Sequence, residues 1–128
     1  MSATGTLEIM LVEDHSAFRE LIAFVLARES DFEVVAKASS LAEAREALEG
    51  LDERLDVAML DMDLPDGKGA ELIEELRESS PRVSIVVLSA TLGAEEVESV
   101  RSAGADAVLD KVRSYSTIAE ELRRLAGV

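Results

Sequence analysis

The chain has 128 residues, enough for one domain and too few for two comfortable ones, and 48% of it is apolar while only 3% is aromatic. It contains no cysteine, which excludes disulfides, thiolate chemistry and cysteine-ligated zinc. Its net charge of −14 opposes nucleic acid binding, which needs basic groups on phosphates, and favours cationic partners and divalent metals.

No apolar stretch reaches the length of a membrane span and no signal pattern opens the chain, so a cytoplasmic protein is expected. Residues 1–6 read as a frayed end of one domain over 1–128. Two kinds of segment then alternate. Short, apolar, β-branched runs at 7–12, 32–38, 55–60, 83–88 and 105–110 predict five strands. Between them lie stripes at helical spacing. The first is Phe18, Leu21, Ile22, Val25 and Leu26, and the second is Leu41, Ala44, Leu48 and Leu51. Leu72, Ile73 and Leu76 form a third, Val97 and Val100 a fourth, and Ile118, Leu122 and Leu125 a fifth. Ser40-x-x-Glu43 and Thr117-x-x-Glu120 are capping-box patterns, and Gly104 suits the end of the fourth helix. The charges of 42–56 read as a solvated helix face.

Five strands alternating with five helices predict a parallel sheet covered on both faces, consistent with strands that are nearly continuously apolar. Right-handed crossovers point all strand ends to one rim, where ligands bind at the place the strand order reverses. The residues at those ends carry the chemistry. Strand one ends in Glu13-Asp14, strand three in Asp61, strand four in Ser89 and strand five in Lys111. Strand two ends in a helix cap. At about 4 Å each like-charged carboxylate pair costs up to roughly 4 kcal/mol at an intermediate dielectric. A hard divalent cation such as Mg²⁺ (or Mn²⁺) offsets this and lets a carboxylate meet a phosphoryl group. Asp61 could then attack phosphorus, with Ser89 and Lys111 holding the other phosphoryl oxygens.

The stretches "LVEDH", "MLDMDLPDGKG", "VLSA" and "GADAVLDK" resemble the receiver domain of two-component response regulators, over the whole chain. The resemblance implies a flavodoxin-like (βα)5 sandwich with a sheet in the order 2-1-3-4-5. It also implies that Asp61 is the phosphoacceptor and Asp14 a direct Mg²⁺ ligand. Glu13 would assist through water, and the Asp63 carbonyl would supply another ligand. Ser89 and Lys111 would bind the phosphoryl group, and Ala90 would leave room for it. Asp63 and Thr91 occupy positions that tune phosphate lifetime in the family. Asp66 reads as a cap or turn residue beside the third helix, and His15 as a capping or surface residue opening the first. Met10 and Met59 read as core, and Met62 as lining the rim.

The implied function is a switch phosphorylated by a histidine kinase or a small donor such as acetyl phosphate. It would change the surface of the fourth and fifth helices and catalyse only its own phosphorylation and dephosphorylation. A kinase or phosphotransfer partner would dock near the first helix. A homodimer could use helices four and five, or one and five. Direct nucleic acid or membrane binding is not expected.

The sequence departs from the pattern in three ways. Val108 stands where the family usually has Tyr or Phe, and a β-branched aliphatic cannot swing a ring. Tyr115, four residues beyond Lys111, is expected to pack against the fifth helix. Val112 replaces a common proline after Lys111, so a trans bond is expected there. The region most resembles receivers attached to helix-turn-helix output domains, yet the chain stops after Leu125 at "AGV", as either a single-domain receiver or part of a longer regulator. Two alternatives remain: a haloacid-dehalogenase-like phosphatase using Asp61 and Asp63, and a receiver-like interaction module that is never phosphorylated.

Overall fold

The computed structural model describes residues 6–51, 55–90, 93–111 and 117–127. The chain runs β1 (Leu7–Val12), α1 (Ser16–Ala27), β2 (Phe32–Ala38), α2 (Leu41–Gly50) and β3 (Val57–Asp61). It continues with β4 (Asp63–Leu64), β5 (Gly67–Lys68), α3 (Gly69–Ser79), β6 (Ser84–Ser89), α4 (Ala94–Ala103), β7 (Ala107–Asp110) and α5 (Ile118–Ala126). Five strands pair in parallel in the order β2-β1-β3-β6-β7, the 2-1-3-4-5 arrangement expected. The added pair, β4 and β5, is a two-residue antiparallel ribbon. Strands of two residues are too short to show alternation in sequence.

Alternate residues of each strand build two cores. Met10, Val12, Ala58, Leu60, Ile85 and Val87 face α2, α3 and α4, meeting Leu41, Ala44, Leu72, Ile73, Leu76 and Val100. Ile9, Leu11, Val57, Met59, Val86 and Leu88 face the other way, onto Ile22, Leu26, Ile118 and Leu122 of α1 and α5. A side-chain period of two, with both faces covered, explains why the central strands are almost continuously apolar. Met10 and Met59 are fully buried, as expected. The stripe of α1 is narrower than its spacing suggests, because Leu21 is 42% exposed.

Capping sets where the helices begin. The His15 Nδ1 accepts from the Phe18 amide at 3.3 Å and opens α1. At α2 the Ser40 hydroxyl accepts from the Glu43 amide, while the Glu43 carboxylate accepts from Ser39 rather than Ser40. Asp66 caps α2, not α3: its two oxygens accept from Leu41 and Ala42 at 2.8 and 3.0 Å. These bonds from Leu41 and Ala42 hold the Asp66 carboxyl below its ordinary range. The turn between β4 and β5 is thereby tied across α2. The Thr117 capping box does not form. Thr117 has φ −123° and ψ 5°, away from the extended geometry that aims a hydroxyl into the first turn, and it makes no side-chain cap. Gly104 closes α4 at φ +121°, a conformation that favours glycine.

Strand limits differ slightly from the periodicity reading, and the difference matters at the rim. β3 covers 57–61 rather than 55–60, and β6 covers 84–89 rather than 83–88. Asp61 and Ser89 are therefore the last residues of ladders, held by the sheet rather than by loops. β7 begins at Ala107 rather than at residue 105, Asp106 having turned its carboxylate to Ile85 and Arg77. The Lys111–Val112 bond, Thr91 and Tyr115 lie outside the described residues.

Candidate phosphoryl and metal site

The strand order reverses between β1 and β3, and the acidic residues gather there. Glu13 follows β1, its amide donating to Ala38 at 2.9 Å and its carbonyl accepting from Arg19 at 2.9 Å. Arg19, one turn into α1, thus fixes the acidic loop from behind. It had no marker in the sequence beyond its position on the helix. The Glu13 side chain is fully buried, and one oxygen accepts from the His15 amide at 3.0 Å. Asp14 is exposed beside it. Asp61 is 7% exposed. One oxygen each of Glu13, Asp14 and Asp61 lie within 4.8 Å of one another.

Lys111 reaches this cluster from β7. That strand is separated from β3 by β6, two strand spacings or about 10 Å, a span suited to a long side chain. Its Nζ lies 2.7 Å from Glu13 Oε1 and 3.1 Å from Asp61 Oδ2. Ser89 is 4% exposed at the end of β6. Asp61 pairs with Leu88 in the ladder, so Ser89 stands one position further toward the rim.

The fourth carboxylate behaves differently. Asp63 is expected to offer its backbone carbonyl; its side chain is 70% exposed and pairs with Lys68 across the ribbon at 2.5 Å. Its amide lies 3.4 Å from Asp61 Oδ1. Met62 is partly buried and packs on the α3 side of the sheet. Gly69 has a reason the sequence did not reveal. A Cβ there would sit 2.4 Å from the Asp61 carbonyl oxygen, so α3 starts directly against the strand end. Gly69→Ala must displace that backbone and is expected to cost about 2 kcal/mol, measurable by urea denaturation.

Burial raises the Asp61 carboxyl to about 6; the Glu13 charge adds to the rise and Lys111 opposes it. Burial alone would lower Lys111, but hydrogen bonding to Glu13 and Asp61 outweighs it and the ammonium is held above its usual range. The three carboxylates thus face one ammonium, leaving an excess of negative charge in a recess. Glu13 Oε1 is buried, and its partner is the Lys111 ammonium at 2.7 Å. An all-oxygen donor set with an excess of negative charge fits a hard divalent cation. If so, cation affinity depends on Asp61 ionisation. Mg²⁺ binding is expected to weaken by up to tenfold per pH unit below about 6. Calorimetric titration at several pH values checks this.

A parallel sheet in this order, with carboxylates at the switch point and a lysine reaching in from the edge strand, defines the flavodoxin-like class of α/β folds. Residues 9–123 match the family described as response regulator receiver domain, and the chain belongs to that family. The response regulator protein VraR of Staphylococcus saprophyticus is 29% identical over 92% of this chain and 56% of its own length. VraR of Staphylococcus aureus is 28% identical over 93% and 56%. The chain therefore spans about half the length of these curated relatives. Among solved structures, the signal receiver domain of the putative response regulator NarL from Mycobacterium tuberculosis has a TM-score of 0.86 at 24% identity, covering 95% of this chain and 97% of its own. A chain from the complex of the CheA3 P1 domain with CheY6 of R. sphaeroides has a TM-score of 0.82 at 28% identity, covering 97% and 99%. Two LuxR-family regulator structures, at 24% and 20% identity, share the fold. No helix among the described residues is long and apolar enough to cross a membrane.

Proposed function

We propose that this receiver is a phosphorylation switch whose acceptor is Asp61. The observation that carries the reading is the convergence of Glu13, Asp14, Asp61 and Lys111 from three different strand ends. A cation held by Asp14, Asp61 and, through water, Glu13, with the Asp63 carbonyl contributing, would neutralise incoming phosphoryl oxygens. Mg²⁺ or Mn²⁺ suits this donor set.

Asp61 then supplies the nucleophile. A carboxylate oxygen forms a bond to phosphorus while the bond to the donor breaks, releasing acetate from acetyl phosphate or the imidazole of a kinase phosphohistidine. Lys111 donates to one phosphoryl oxygen and the Ser89 hydroxyl to another. Water later attacks phosphorus and regenerates the carboxylate with release of inorganic phosphate. The protein is thus the substrate of its own reaction rather than a turnover enzyme. A phosphoryl group adds roughly −1.5 to −2 charge next to Lys111 and Ser89. Drawing those groups inward from the ends of β7 and β6 would shift the segments that follow, which lead into α4 and α5. A partner or output domain would read that surface.

The phosphatase alternative is disfavoured by Asp63, which is turned outward to Lys68 rather than over Asp61, where a general acid would stand. Intact-mass measurement after incubation with acetyl phosphate tests the reading. One phosphoryl group is expected with Mg²⁺ and none with EDTA. No gain in either condition would leave the interaction-module reading in place.

A further inference from the structure

Lys111 has a third neighbour. Its Nζ lies 5.3 Å from the centroid of the Phe18 ring, within the range in which an ammonium is attracted to an aromatic face. Two carboxylates pair with the ammonium, and this ring on α1 lies within reach of it as well. Phe18 is only partly buried, and it packs against the core cluster shared by α1 and α5. The Lys111 side chain is 18% exposed. A lysine stem has many rotamers, and an exposed path to solvent gives the ammonium somewhere else to go. The ring narrows that choice. The aliphatic Val108 on β7 cannot offer such a contact.

We propose that Phe18 is a positioning residue for Lys111, its ring holding the ammonium over Asp61 so that it is in place when the phosphoryl group arrives. The second half of this statement rests on the reading of Asp61 as phosphoacceptor; the placement of the ammonium does not. Phe18→Leu preserves most of the apolar packing and removes the ring. Phe18→Tyr keeps the ring, and a partly exposed site lets the added hydroxyl reach water.

The experiment has two arms on the same three proteins. In the first, the ε-methylene resonances of Lys111, identified by their loss in Lys111→Arg, are recorded without metal or phosphodonor. They are expected upfield in the parent and in Phe18→Tyr, through the ring current, and at ordinary positions in Phe18→Leu. In the second, the maximal phosphorylation rate from acetyl phosphate at saturating Mg²⁺ is expected to fall about threefold to tenfold in Phe18→Leu and to be retained in Phe18→Tyr. The apparent Mg²⁺ affinity should not weaken, whereas general loosening of the α1 loop would weaken it together with the rate.

Ordinary Lys111 shifts in the parent overturn the placement. Equal rates in the parent and Phe18→Leu, or a loss in Phe18→Tyr as large as in Phe18→Leu, overturn the positioning role. If the parent takes up no phosphate, the proposed switch fails while the first arm still decides whether the ring holds the ammonium.

Discussion

Asp61→Asn is expected to abolish phosphoryl uptake and, in metal-free buffer at pH 7, to stabilise the protein. The first effect follows from removing the nucleophile. The second follows from the charge balance of the rim. The Asp61 carboxyl is raised by burial from 3.8 to about 6. A raised folded-state value means that its stabilising contribution is complete below the unfolded value and is lost as pH rises through about 6. At neutral pH the folded protein therefore buries a charge that water solvates in the unfolded chain, at a cost of about 3 kcal/mol. The neutral amide removes that cost while keeping the shape. Chemical denaturation of both proteins at pH 5 and pH 7 checks the sign. The variant should gain most at pH 7, about half as much at pH 5, and little only below the unfolded value of 3.8. Added Mg²⁺ should narrow the gap by stabilising the parent alone.

Lys111→Ala should act in the opposite direction. The Lys111 ammonium is the cation that meets Glu13 and Asp61 in the described structure, and Glu13 is fully buried. Removing it leaves two carboxylates facing each other across the recess. A cost of about 2 kcal/mol is expected without metal, somewhat below the loss for a fully buried pair because Asp61 is near the surface. Millimolar Mg²⁺ should restore much of it by mass action on the folded state, more than it stabilises the parent. A variant whose melting temperature falls equally with and without Mg²⁺ would mean that the lysine and the cation do not share one pocket. The same variant is expected to accept phosphate slowly and to show little of the activated surface.

Most of the fold was legible because the strands are short, mostly apolar runs and each helix has a stripe. Asp61 and Lys111 were legible for a related reason: they interrupt such runs at their ends, where topology requires them to meet. What was hidden depends on contacts between distant parts of the chain. Asp66 lies beside α3 in sequence, yet its oxygens cap α2, 24 and 25 residues earlier. Gly69 carried no such signal, because its lack of a side chain serves the carbonyl of Asp61, eight residues earlier. Phe18 looked like one more core residue of α1, and its contact with Lys111 depends on how that helix seats against β7. Thr117 shows the reverse error, in which a local motif was present but the backbone angles did not use it.

The most direct test is chemical trapping of the acyl phosphate. After incubation with acetyl phosphate and Mg²⁺, borohydride reduction followed by peptide mapping should convert residue 61, and no other acidic residue, to homoserine. Conversion at Asp14 or Asp63, or a phosphoryl group found on Ser89, would contradict the assignment of this rim as a site built around Asp61.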